Sequence, residues 1–160
     1  MKLFQKSENM AHIHEQIDFV VNVFITYNNK VLLIHHRKLD LWLPVGGHME
    51  VNETPDDALI REIKEEVGID AQILNVSKIP LDGNIKRNLA IPIYSNVHNV
   101  GDHDHCCFFY VCKSSSNKVV SNDEIKNYRW FSKEELNEKI IPKDVRSIAL
   151  LCFEFMEKKK

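Results

Sequence analysis

The stretch from Thr54 to Gly68 constrains this chain more than any other. Thr54 suits a helix N-cap, Pro55 the first helical position, and Asp56 and Asp57 the positive end of the helix dipole. Gly68 suits the left-handed residue that stops a helix, so a helix over 55–67 follows. At about 100° per residue, Glu62, Glu65 and Glu66 share an arc of roughly 100°. Leu59, Ile60, Ile63 and Val67 occupy the arc beside it, so the acids border the buried stripe, while Asp57 and Lys64 take the solvated side.

That placement is unfavourable for a bare helix. Like charges at i,i+3 and i,i+4 cost roughly a few tenths of a kcal/mol per pair. The dipole also disfavours acids in the C-terminal half. Arg61, four residues before Glu65, offsets only part of this. A hard divalent cation would remove the conflict, because Mg²⁺ takes carboxylate oxygens and shares its shell with water and phosphates. On the wheel alone, a solvated acidic face competes with that reading.

The flanking segments set the helix in a mixed fold. Residues 18–27 (DFVVNVFITY) and 31–36 (VLLIHH) read as strands joined through Asn28-Asn29-Lys30 into a hairpin. Residues 39–48, with Pro44 and Gly46-Gly47, read as a loop. A strand is expected within 69–79. Residues 80–103 read as irregular with a strand at 91–97, and further strands are expected at 105–113 and 127–131. Ser132-x-x-Glu135 is a capping box for a short helix. Val145, Ile148, Ala149, Cys152, Phe153 and Met156 recur at helical spacing, which predicts a terminal helix over 143–157 and a frayed tail at Lys158 to Lys160. Strands, helix, strands, helices make an α+β or mixed α/β arrangement. With 160 residues and no internal repeat or linker, one domain over 1–160 is expected.

From Gly47 the sequence reads GHMEVNETPDDALIREIKEEVGI, ending at Ile69. This resembles the Nudix box at every defined position, a far more specific match than a lone glycine motif. The approach Trp42-x-Pro44-x-Gly46-Gly47 is also similar to that family's, with Val45 inserted between the Pro and the glycine pair where many members have nothing. The resemblance implies a Nudix fold, an α/β/α sandwich with a mixed central sheet. It implies hydrolysis of a nucleoside diphosphate linked to another group, using Mg²⁺ or Mn²⁺. By position, Glu62, Glu65 and Glu66 would hold the metal, with Glu65 or Glu66 a candidate base, and the Gly46-Gly47 backbone would approach the site. Glu53 would pair with Arg61 and orient helix and loop. A catalytically silent nucleotide-sensing module is the alternative, and the intact set of five polar residues argues against it. A small nucleotide substrate and a monomer or homodimer are expected.

Outside the box, Asp102 and Asp104 are the candidates for a further acid in the metal site. His103 and His105 alternate and would share a strand face, suiting substrate or proton contact. Zinc held with Cys106 and Cys107 is disfavoured, since adjacent cysteines point to opposite faces. Arg37 and Lys38 end a strand before the glycine loop, and Arg37 is the candidate phosphate contact; Lys86 and Arg87 offer the same chemistry from the irregular segment. Trp42 suits either base stacking or packing.

Composition narrows the partners. The net charge of −2 gives no reason to expect a nucleic-acid polymer. It hides a contrast: residues 47–69 carry seven acids against two Lys/Arg, and the other residues carry 16 against 19. No run approaches the ~18 apolar residues of a membrane span. Met1 to Met10 lack the apolar stretch of a signal peptide, and Cys106, Cys107, Cys112 and Cys152 form no disulfide framework, so a cytoplasmic location is expected.

Overall fold

A hairpin built on two left-handed asparagines opens the fold. In the computed structural model, which describes residues 16–159, β1 (Ile17–Tyr27) pairs antiparallel with β2 (Lys30–His36). Asn28 (φ 46°) and Asn29 (φ 58°) alone make the turn, and Lys30 already belongs to β2. Two consecutive positive φ values suit the twist of the flanking strands, and Asn tolerates them better than other non-glycine residues. The signal-peptide reading of residues 1–10 and the end of the tail at Lys160 lie outside the described residues.

The 39–48 segment is not a loop. It holds β3 (Leu41–Leu43), paired with β2, and β4 (Val45–His48), paired antiparallel with β1. Pro44 separates the two strands, and the glycine pair lies inside the second. After α1 (Pro55–Val67), the expected 69–79 strand shrinks to β5 (Ala71–Ile73), because Asn75 turns the chain at φ 62°. β6 (Tyr94–Asn99) starts later than expected, β7 (Asp104–Ser114) runs slightly longer, and β8 (Ile125–Phe131) starts earlier. The Ser132/Glu135 box makes both reciprocal hydrogen bonds, at 2.6 and 3.3 Å, yet supports only one 3-10 turn, Glu135–Asn137. The chain closes with α2 (Lys143–Glu157).

The eight strands form one mixed sheet. β1 and β7 run parallel, from Ile17 opposite Asp104 to Thr26 opposite Lys113, and every other strand pair is antiparallel. Alternation along β1 divides the core. Val21, Val23 and Ile25 pack with Ala58, Leu59, Ile63 and Val67 of α1. Val20 and Phe24 pack with Val145, Ile148, Ala149, Cys152 and Phe153 of α2. A sheet buried on both sides between helices is an α/β/α sandwich, the architecture that the resemblance implies. Among the described residues, no helix is long and apolar enough to cross a membrane.

The caps of α1 match its sequence. Thr54 and Asp57 form a reciprocal capping box, and Gly68 stops the helix at φ 60°, its N–H donating to Ile63 O. A Cβ at Gly68 would also press on Val120 Cβ at 3.0 Å. Gly68→Ala is expected to lower stability by roughly 1–2 kcal/mol, the cost of a left-handed alanine, read as a lower urea midpoint.

Candidate active site

The buried face of α1 is centred differently from the apolar stripe. Ile60 is 57% exposed, whereas Ala58, Leu59, Ile63, Glu66 and Val67 are buried. The acids therefore do not merely border the packed face. Glu66, 4% exposed, lies within it, and the Glu62 side chain is only 12% exposed; Glu65, at 58%, faces solvent.

The glycine pair is what lets these acids approach the sheet. Gly46 lies opposite Asn22 and Gly47 opposite Val21 of β1. The Gly46 N–H donates to Glu66 Oε2 at 3.0 Å. A Cβ at Gly47 would enter the space of the Glu62 carboxylate, with Cδ only 2.6 Å away. Two carboxylates are thus packed against bare backbone, the setting in which a cation can meet both side-chain and main-chain oxygens.

Arg61 ties the loop to the helix. Its Nε donates to Glu53 Oε1 at 2.7 Å and Nη2 to Glu53 Oε2 at 3.0 Å, a bidentate pair. Nη1 donates to Glu62 at 2.7 Å and Glu65 at 3.2 Å, and Nη2 also reaches His48 O at 2.9 Å. The guanidinium holds Glu53 below the usual carboxylate range. Glu62 moves the other way, because burial outweighs the same Arg61. Burial pushes Glu66 up to about 8, and the charges of Glu62, Glu124 and Glu65 add to the shift against the Gly46 hydrogen bond. A buried acidic pair that resists ionisation fits a site whose natural counter-charge is a divalent cation.

Among the described residues, Glu124 is an acid beyond the box whose charge reaches this set, and the sequence reading passed over it. Its charge acts on both Glu62 and Glu66. Its segment is fixed to the site: Asn122 N–H donates to Glu66 O at 3.2 Å, and Asn122 Oδ1 accepts from Glu124 N–H at 3.0 Å. Arg37, though exposed, braces this segment, donating to Asp123 O at 2.8 Å and Ile125 O at 3.3 Å. A signal was present in the acid pair Asp123-Glu124, two residues ahead of the strand expected at 127–131.

Asp102, Asp104, His103 and His105 are brought together elsewhere. Asp102 accepts from His103 Nδ1 at 2.7 Å, and Asp104 accepts from Asn99 at 2.9 Å. His103 and His105 meet Asp18 of β1 and His48 of β4. Because His48 pairs with Val20 and His105 with Asp18, these side chains share the sheet face of Val20, opposite the face that carries α1. Asp18 and His48 are not evident from sequence, since only the β1–β7 and β1–β4 pairings bring them to His105. Burial and the neighbouring His48 and His103 lower His105 to about 4, so it is neutral near pH 7.

The other candidates have structural duties. Arg87 donates to Thr54 Oγ1 and Asp57 Oδ2, both at 2.6 Å, pinning the irregular segment to the start of α1. Trp42 is buried, stacked on His35 at 5.1 Å and edge-on to Phe131 at 5.3 Å. Cys107, Cys112 and Cys152 are buried free thiols, and Cys106 is half-buried.

Known proteins share this arrangement. The profile of the NUDIX domain matches residues 18–151. A nucleoside triphosphatase NudI of Enterobacter sp. (strain 638) is 30% identical over 60% of this chain and 64% of its own length. The uncharacterized Nudix hydrolase YvcI of Bacillus subtilis (strain 168) is 30% identical over 69% of this chain and 63% of its own. The chain thus spans somewhat less than two thirds of these curated relatives. The crystal structure of a NUDIX-family hydrolase from Clostridium perfringens superposes with a TM-score of 0.75 at 35% identity, covering 87% of this chain and 97% of that one. With the box, the sandwich and these relatives in agreement, the chain belongs to the Nudix hydrolase family.

Proposed function

We propose that the protein is a divalent-metal-dependent pyrophosphohydrolase. Its substrate would be a nucleoside diphosphate linked to a further group, cleaved by water attack on phosphorus. The observation that carries this reading is the packing of Glu62 and Glu66 against the Gly46-Gly47 backbone, with Arg61 and Glu53 fixing the loop. Mg²⁺ or Mn²⁺ held by Glu62, Glu65 and Glu66 would neutralise the diphosphate and activate water. The chain's own part is orientation. The Gly46 N–H fixes the Glu66 carboxylate, and Arg61 fixes the Glu62 and Glu65 carboxylates. Glu65, the exposed member of the three, would take a proton from an approaching water.

Nucleoside triphosphates are the first substrates to test, because the NudI relative bears that activity in its name. Nucleotide sugars are the second. A panel of both, assayed for phosphate or pyrophosphate release with Mg²⁺ and with Mn²⁺, is expected to give metal-dependent turnover that EDTA abolishes. Nucleotide binding with no hydrolysis by either ion would instead identify a sensing module.

A further inference from the structure

The structure assigns a second metal site, separate from the box: a transition-metal ion of the zinc class held by Asp18, His48, His103 and His105. Four donor atoms converge there. Asp18 Oδ2 lies 3.2 Å from His103 Nε2 and 3.7 Å from His48 Nε2. His105 Nε2 lies 3.1 Å from His103 Nε2 and 3.2 Å from His48 Nε2. All four fall within 4.8 Å of one another. A tetrahedral ion with arms of 2.0–2.1 Å needs donors about 3.3–3.4 Å apart. Four of the six edges of such a tetrahedron bracket that value, and the remaining two, Asp18 to His105 and His48 to His103, lie within 4.8 Å, so the donors surround a space of the right size for an ion.

The outer partner of His103 favours the same reading. His103 Nδ1 is 2.7 Å from Asp102 Oδ1, an acceptor on the outer side of the ring, while Nε2 points inward to Asp18 and His105. A carboxylate on the outer nitrogen is how proteins usually orient a metal-binding histidine. Three imidazole nitrogens thus meet at 3.1–3.2 Å beside a carboxylate that is 2% exposed. Three nitrogens and one oxygen select a borderline ion such as Zn²⁺, whereas the all-carboxylate box suits Mg²⁺.

The backbone shows what the site would do. Asp18 is on β1, His48 on β4 and His105 at the start of β7, with His103 just before that strand. An ion there clamps three strands at one end of the sheet. His48 belongs to both regions, for its carbonyl accepts Arg61 Nη2 while its ring faces the cluster. The ion would thus hold the backbone next to Gly47 from the face opposite α1. His98 and Cys107 form a rival trio with His105, their Nδ1 and Sγ 3.8 Å apart.

The test uses the full chain, stripped with EDTA and titrated with Co²⁺ alone and then Zn²⁺. One equivalent of Co²⁺ is expected to give the intense visible absorption of a tetrahedral ion. One Zn²⁺ should displace it, excess Mg²⁺ should not, and Zn²⁺ should raise the melting temperature. His103→Gln and His105→Gln should each weaken zinc at least about 100-fold, and Asp102→Asn about tenfold, the low end for an outer partner that is largely exposed. Cys107→Ser and Glu66→Gln should retain the ion, and retention in Glu66→Gln separates this site from the box. A merely octahedral Co²⁺ spectrum, displacement by Mg²⁺, or loss in Glu66→Gln would overturn the assignment. So would loss in Cys107→Ser with retention in folded His103→Gln.

Discussion

Glu66→Gln is expected to fold, to bind nucleotide, and to turn over at least about 100-fold more slowly at saturating Mg²⁺. The side chain is 4% exposed and accepts the Gly46 N–H at 3.0 Å, a bond that a glutamine oxygen keeps. What the variant loses is the negative charge facing the box. Stability makes a second readout with a defined sign. An unfolded glutamate releases its proton near 4.5, while burial holds that of Glu66 until about 8. Between those values the unfolded chain binds fewer protons, so the Glu66 contribution to stability falls as pH rises. In EDTA, Glu66→Gln should therefore gain on the parent as pH moves from 5 toward 8. Near-parental turnover with Mg²⁺, measured by phosphate release, would remove Glu66 from the site.

The two adjacent glycines should respond to alanine in opposite ways. A methyl at Gly46 would run into Val21 O and come within 2.8 Å of Asn22 Cα, both backbone of the central strand. Neither can move without breaking the β1–β4 pairing. Gly46→Ala is expected to cost about 3 kcal/mol or more and to yield little folded protein. At Gly47 the obstacle is the end of the Glu62 side chain, which can swing away. Gly47→Ala should fold with a near-parental urea midpoint and still lose most activity, because Glu62 is displaced. A folded, active Gly47→Ala would show that Glu62 has no fixed role in the site.

How far the sequence leads depends on how local each cause is. α1 could be bounded to the residue because Thr54, Pro55, Asp57 and Gly68 act within one or two turns. The Asn28-Asn29 hairpin was equally local. β3 and β4 escaped because Pro44 and Gly46-Gly47 are ordinary loop residues, and only contact with β1 and Glu62 explains glycine there. The box residues could be named from their spacing, whereas their burial could not: Glu66 is buried because Ala58 and Leu59, not Ile60, set the packed face. Glu124 and Asp18 depend on neighbours distant in the chain, and no pattern near either announces its partners.

The parallel pairing of β1 with β7 also bears on how the molecule assembles. Ile17 must find Asp104 across roughly ninety intervening residues, and contacts this distant slow folding because the intervening chain is ordered before they form. During synthesis β1 can meet β2 and β4 early, but one of its long edges stays open until β7 has left the ribosome. That edge is the backbone of Ile17 to Thr26, every residue of which pairs with β7 in the finished protein. Chains interrupted before residue 104 should aggregate rather than accumulate as a stable N-terminal half, so the box, though contiguous in sequence, cannot be isolated as a working fragment.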